Sequence, residues 1–399
     1  MDTGDRHILS VTCFGHFLSH FNMLVFPALV LPLAGRLQMD VASVLDLGFW
    51  MYLLFGITAL GWGYLADRIG PRPLLALFYL GAGICGIGCS MVIDMPVMLR
   101  WWLAGIGLFS AIYHPAGLGW IACCVSRTSV GMAYNGMFGN LGLASAPLAA
   151  GLINWVFGIR AVYLGLGILN LLGLLLLWQT RGQAPARRRP GHAAANAAAS
   201  ARSFALLLVC MMLAGIVYRG STVTLPTLFE LRGADLYAAV TRLVAGGLPA
   251  NVVATVITSG LYLVGMVGQY LGGRVGERFD LRWGYLVFHG LTVPAAMLAG
   301  VLTDLPLVLV ATLHSMFLLG MQPIENTLVA RLTLPSMHSF AYGMKFVLTF
   351  GVGSLAVKLV RWLTATQGIE TVFPVLGMIS LLLLGAISLL MRVTPPLHS

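Results

Sequence analysis

His16 and His20 lie four residues apart, so on a helix they share one face, and Met23 continues that face. Imidazole titrates near neutral pH, and its ring nitrogens also ligate metals. This face therefore suits a proton or substrate site, a soft-metal site with Met23, or core histidines satisfied by neighbouring helices. Spacing offers no further cysteine or histidine ligand, and no resident metal or cofactor is expected. Arg219 stands in another apolar stretch. There a guanidinium can hold a carboxylate or phosphonate in a bidentate way, or pair with a structural carboxylate. Glu325 and Lys345 sit at matching depths in two later stretches, with Asn326 beside them. An ion pair between them is expected, serving either as a proton-coupling acid or as a static pair. His114 precedes Pro115 and Gln322 precedes Pro323. Proline removes a backbone donor, so each pair marks a bend, with His114 lining a cavity or capping a freed carbonyl. His289 and His314 have no partner that spacing can name, and packing is their expected role. All six cysteines fall in apolar stretches without a C-x-x-C spacing and read as small hydrophobes rather than a disulfide or redox site.

The elements that hold these groups follow from where charge is missing. Apolar residues make up 59% of the 399-residue chain, against about 45–50% in soluble domains. Charged residues are 9%, where about 25% is usual. Such a chain is not a soluble enzyme, a disordered segment or a nucleic-acid binder. A bilayer core about 30 Å thick needs about 20 apolar residues in a spanning helix. Ten stretches without Asp, Glu, Lys or Arg meet that need: 7–35, 47–66, 73–93, 101–126, 128–159, 161–180, 243–273, 283–303, 305–324 and 371–391. Two more, about 203–231 and 338–364, are interrupted by Arg219 and Glu230 and by Lys345, Lys358 and Arg361. Twelve spans are expected. Helices are required, because lipid offers no partner to backbone N–H and C=O, and strand-like alternation is absent from runs such as 168–178. No secretory signal is expected, since the first apolar run is long and lacks a small-residue cleavage site.

The net charge of +10 is explained by orientation. With both ends on one side, that side carries 14 Lys and Arg and the other carries 7. The 14-charge side is then cytoplasmic, and no nucleic-acid partner is needed. The long polar stretch 181–202, rich in Arg, Pro and Ala, reads as a cytoplasmic linker. It divides an N-terminal six-helix bundle, 1–180, from a C-terminal one, 203–399. Three matches support duplication. Gly63 through Arg72 (GYLADRIGPR) aligns with Gly273 through Arg282 (GRVGERFDLR) at an offset of 210. His20 and Arg219 each precede a proline by seven residues, at an offset of 199. His114-Pro115 aligns with Gln322-Pro323 at 208.

The two loops resemble the major facilitator signature G-x-x-x-D-R-x-G-x-R, and with twelve spans and a central basic loop the resemblance covers nearly the whole chain. The stretches GHFLSH (15–20), PALVLP (27–32), YHP (113–115) and GMAYNGMFGNLGLASAP (131–147) further resemble the fosmidomycin-resistance branch. In that branch a carboxylate often stands where this chain has His20. The run before Pro147 is similar to the Gly-Pro pattern of antiporter fifth helices, with Ala146 in place of Gly. The resemblance implies the major facilitator fold and alternating access about a midplane site. It implies a gate at Gly63, Asp67, Arg68 and Arg72 with Glu277, Arg278 and Arg282 of the repeat. It also implies a bacterial inner-membrane location with both termini cytoplasmic. No ATP-binding loop is present, so an ion gradient or the substrate's own gradient supplies the energy. The expected function is proton-coupled efflux of a small polar or anionic compound by a monomer in the lipid bilayer, with His16, His20, His114, Arg219, Gln322, Glu325, Asn326 and Lys345 binding substrate or protons. The alternatives are an importer of an organic anion or transition metal, and a transporter-like receptor that moves nothing. A membrane enzyme is not expected, because no nucleophile–base pair is evident.

Overall fold

The computed structural model describes residues 3–178, 201–243, 247–333 and 338–397. Nearly all of the expected linker, 181–200, lies outside them. Every regular element among the described residues is a helix. The chain divides into two compact units, Met1–Pro190 and Gly191–Ser399.

The first unit runs α1 (Thr3–Ala28), α2 (Val30–Leu37), α3 (Val41–Leu47), α4 (Phe49–Ile57), α5 (Ala59–Ile69), α6 (Pro71–Met91), α7 (Pro96–Ser110), α8 (Tyr113–Cys124), α9 (Thr128–Phe157) and α10 (Ile159–Trp178). Its breaks have local causes. After α2 the chain turns through Gln38 in the left-handed region, φ 53°, and Asp40 caps α3 by accepting a hydrogen bond from the Ser43 N–H at 2.8 Å. The segments Val30–Leu37 and Val41–Ile57 are bent by 111°. The α7–α8 rod is interrupted at Ala111–Ile112, because Pro115 has no N–H to give the Ala111 carbonyl. The α6 and α10 backbones approach so closely that a Cβ on Gly86 would lie 2.7 Å from the Gly167 nitrogen.

The second unit runs α11 (Ala201–Arg232), α12 (Ala234–Leu243), α13 (Ala250–Arg278), α14 (Leu281–Ala299), α15 (Asp304–Leu332), α16 (His338–Phe346), α17 (Leu355–Thr366) and α18 (Val372–Val393). Between α16 and α17 the rod passes through a π-turn, Val347–Gly351, and a 3-10 turn, Val352–Ser354. Gly215 of α11 packs against the backbone of Thr349 there. The expected bend at Gln322-Pro323 does not break its helix: α15 runs through Pro323. The segment 232–249, without a reading from sequence, holds α12, whose Leu236 N–H bonds Asp304 Oδ1 at 2.9 Å.

Among the described residues, ten helices are long and apolar enough to cross a membrane, or eleven when the bent pair counts as one span. The expected twelfth, over 283–303, corresponds to α14. Its 19 residues include Arg282, His289 and Pro294, which dilute its apolar character. The burial pattern inverts that of a soluble protein. Ile84, Leu175, Val267 and Leu382 are exposed, while Asn22, His114, Arg219, His289 and Glu325 are buried. The protein is an all-α, multi-pass membrane protein.

Candidate functional site

In the first unit, α1 packs along α8 and α9 and brings three imidazoles together. His16 and His20 occupy successive turns of α1, and His114 follows the break before α8. The rings form a near-equilateral triangle, with centroids 4.9 Å (His16–His20), 5.2 Å (His16–His114) and 5.3 Å (His20–His114) apart. One ring nitrogen from each lies within 4.8 Å of the others. The two Nε2 atoms of His16 and His20 are 3.1 Å apart. His16 Nδ1 lies 2.8 Å from the Asn135 carbonyl, which accepts its N–H. Asn135 in turn donates from Nδ2 to the Tyr113 hydroxyl at 2.6 Å, and the Tyr113 ring stacks on His16 at 5.0 Å. Gly139 of α9 makes room for the His16 ring: a Cβ there would come within 2.6 Å of Cε1. Met23 is not part of the cluster. It is buried, and its carbonyl accepts the Tyr52 hydroxyl at 3.0 Å. The third member is thus His114, contributed by the fold rather than by spacing along α1.

Two residues beyond His20 on α1 begins a polar layer that sequence reading missed. Asn22 and Asn170 exchange amide hydrogen bonds of 3.1 and 2.9 Å, and Asn22 also donates to Ser110 Oγ at 2.9 Å. The available signal was an amide in the middle of each of two apolar runs.

The second unit holds a charged cluster. Lys345 Nζ stands 2.7 Å from Glu325 Oε1 and donates to Asn326 Oδ1 at 2.5 Å. The Tyr285 hydroxyl donates to the other carboxylate oxygen, Oε2, at 2.9 Å. Both charged side chains are buried, so the pair is desolvated and its partners matter more than at a surface. Tyr285 also meets His289 edge-on at 4.8 Å. His289 is fully buried, and neither of its ring nitrogens has a hydrogen-bond partner among the described residues. His314 is tied down: Nε2 lies 3.0 Å from Ser221 Oγ and Nδ1 3.2 Å from the Thr292 carbonyl. Gln322 Oε1 accepts from Gln269 Nε2 at 3.0 Å, joining α13 to α15. The contacts that gather Glu325, Lys345 and Asn326 do not include Arg219, which is buried with its guanidinium 5.9 Å from the Tyr218 ring.

The repeated loops lie at the ends of the helices. Gly63 faces Pro115, Gly70 makes the turn at φ +86°, and Arg68 stands over the Tyr64 ring at 4.5 Å. Arg72 donates to the Leu177 carbonyl at the end of α10, 3.4 Å away. In the repeat, Asp280 holds Arg282 at 2.6 Å, and Arg282 donates to the carbonyls of Met391 and Thr394 at the end of α18. Glu277 and Arg278 close α13 just before that turn, as Asp67 and Arg68 close α5. Elsewhere, Arg36 lies 2.6 Å and Arg160 2.7 Å from Asp94. Hydrogen bonds from Arg36 first, then from Arg160, hold the Asp94 carboxyl down at about 2.

Membrane-crossing helices around buried ionisable groups are the architecture of a transporter. Residues 12–259 match the family model described as Major Facilitator Superfamily, and the chain belongs to that superfamily. It is a secondary transporter rather than an enzyme. The chain is similar in structure to a bacterial homolog of the human lysosomal transporter Spinster, in an inward-facing and occupied conformation. That likeness has a TM-score of 0.76 at 14% identity and covers 98% of each chain. It is likewise similar to a POT family transporter in complex with 5-aminolevulinic acid, with a TM-score of 0.76 at 15% identity over 97% of this chain and 96% of that one. A third likeness is to the peptide transporter POT in complex with sulfate, with a TM-score of 0.72 at 16% identity over 97% and 95%. At these identities the likeness is one of fold. No curated protein matches the chain.

Proposed function

We propose that this transporter exports a small polar or anionic compound across the bacterial inner membrane in exchange for protons, by alternating access, as a member of the fosmidomycin-resistance branch. The observation that carries this reading is the buried Glu325 carboxylate, held by Lys345 at 2.7 Å and by the Tyr285 hydroxyl at 2.9 Å. An ionised Glu325 accepts hydrogen bonds from a polar substrate. A proton bound to the same oxygen removes that acceptor. Proton and substrate then exclude each other, which is the condition for exchange. Arg219 and Lys345 supply positive charge for an anionic group, bidentate in the case of Arg219. Gln322 and Asn326 add amides, and His16, His20 and His114 add ring nitrogens that can bind substrate or a proton.

The charged loop residues Asp67, Arg68, Arg72, Glu277, Arg278 and Arg282, with Gly63, form the cytoplasmic gate of this reading. Both termini share that side, as the 14-to-7 distribution of Lys and Arg favours. The protein works as a monomer in the bilayer and engages no nucleic acid.

The test is flux in inverted membrane vesicles with an imposed pH gradient, using phosphonate antibiotics chosen by growth inhibition with and without expression. Transport stops when the gradient is collapsed, and Glu325→Gln uncouples flux from the gradient while substrate binding remains. Flux indifferent to the gradient overturns proton coupling. Arg219→Ala weakens anionic substrates more than neutral ones; equal loss for both makes Arg219 structural.

A further inference from the structure

The imidazole triangle of the first unit has a geometry that proton exchange at Glu325 does not call for. We propose that His16, His20 and His114 bind one divalent first-row transition-metal ion of the zinc class, leaving a fourth coordination position open to an anionic donor. The proposal goes beyond the proton-coupled reading and does not depend on it.

Three observations carry it. The first is spacing. A tetrahedral ion bound at about 2.0–2.1 Å by three imidazole nitrogens sets those nitrogens about 3.3 Å apart and the ring centroids about 5.2 Å apart. The observed centroid separations are 4.9, 5.2 and 5.3 Å, and the His16 and His20 Nε2 atoms are already 3.1 Å apart. All three ligand atoms lie within 4.8 Å of one another, so small ring rotations complete the set. The second is the tautomer of His16. Its Nδ1–H is committed to the Asn135 carbonyl at 2.8 Å, which leaves the Nε2 lone pair facing the other two rings. Such a carbonyl-fixed histidine is the usual outer support of a metal ligand, and here Asn135 is itself anchored by Tyr113 at 2.6 Å. The third is rigidity and access. His114 is buried beside the α7–α8 break, with the edge of Phe55 at 6.0 Å, whereas His16 and His20 are only partly buried and leave a way in.

The ligand set also states the class of ion. Three neutral nitrogens suit zinc, copper, nickel or cobalt, and they do not suit calcium or magnesium, which take oxygen. No carboxylate belongs to the group, so a bound ion keeps its full charge of two. That charge draws an anion to the open position. A small carboxylate or hydroxamate compound could therefore be held together with the metal.

The experiment uses the purified full chain in detergent, titrated with Zn2+ alone by equilibrium dialysis and with Co2+ as a visible-absorption probe. One Zn2+ per chain is expected. Bound Co2+ shows the intense d–d bands of a four-coordinate site, and excess Ca2+ or Mg2+ displaces neither. His20→Asn and His114→Ala each lower affinity by about tenfold or more, whereas His289→Ala does not. Because a variant can fail to fold, the wild-type unfolding midpoint is also followed, and it rises with Zn2+. Absence of stoichiometric Zn2+ binding overturns the proposal. So does binding that survives both His20→Asn and His114→Ala in monodisperse protein. Occupancy is read without transport, so its failure is distinct from a failure of proton coupling.

Discussion

In the first unit the buried polar groups centre on three imidazoles with Asn22, Asn135 and Asn170; in the second they centre on the Glu325–Lys345 ion pair and the Tyr285 phenol, with Arg219, His289 and His314 also buried. The loops around these interiors are alike. Arg72 and Arg282, which correspond in the repeat, each donate to backbone carbonyls at the end of the last helix of their own unit. Even there the local device differs, since Gly70 turns at φ +86° before Pro71, whereas Asp280 caps α14 and pairs with Arg282. The two units share the way these helices are pinned and differ in their buried chemistry. The consequence is energetic. A neutral cluster that loses one member loses a hydrogen bond, but a buried ion pair that loses one member strands a charge.

The largest expected effect tests that contrast directly. Lys345→Ala leaves Glu325 buried without its ammonium and costs about 3–5 kcal/mol, read as a lowered unfolding midpoint. The double variant Lys345→Met with Glu325→Gln recovers most of that loss, because no charge remains to desolvate. A Lys345→Ala protein as stable as wild type would erase the difference between the units. Next in size is Gly139→Ala, where the new Cβ would come within 2.6 Å of the His16 ring. Overpacking costs about 1–3 kcal/mol and pushes His16 off Asn135, so metal affinity falls together with stability. If stability falls and the imidazole triangle is unaffected, Gly139 serves packing alone.

Smaller effects sharpen the comparison. Among the interior histidines, His16→Leu forfeits the Asn135 bond and costs about 1 kcal/mol, whereas His289→Leu removes a fully buried ring whose nitrogens have no hydrogen-bond partner among the described residues and leaves stability equal or higher. Denaturant unfolding of the two variants side by side checks the order. The smallest effect lies at Asp94. Its folded pKa, about 2, lies below the ordinary 3.8, so the contribution of the Arg36 and Arg160 contacts is present above about pH 4. It is lost as pH falls toward 2, and screening by solvent and salt keeps it modest. Asp94→Asn removes that slope between pH 4 and 2; an unchanged slope places the acid sensitivity elsewhere.

Much of the scaffold was legible in the sequence because lipid leaves few options. Charge-free runs of about 20 residues must be helices, and an ionisable group inside one must face protein. On that ground His16, His20, Arg219, Glu325 and Lys345 stood out, and matching depths were enough to put Glu325 and Lys345 together. Spacing could not bring His114 to His16, because they are on different helices and only packing decides which faces meet. The same holds for Tyr285 against Glu325 and for Asn22 against Asn170. The break before α8 followed from Pro115, but Pro323 in the repeat sits in an unbroken helix, so a proline marks where a bend is cheap rather than where one occurs. The π-turn at Val347–Gly351 had no signal of its own. It lies where Gly215 lets two backbones touch, and that is a property of the neighbour.

That irregular stretch begins two residues after Lys345. A widened turn, Val347–Gly351, is followed at once by a tightened one, Val352–Ser354. The two departures in winding have opposite signs. The rod below turns Ala356, Val357, Val360 and Leu363 inward. Both irregular turns lie on the α17 side of Lys345, so the ammonium that meets Glu325 is carried by the regular winding of α16 and not by the faulted stretch.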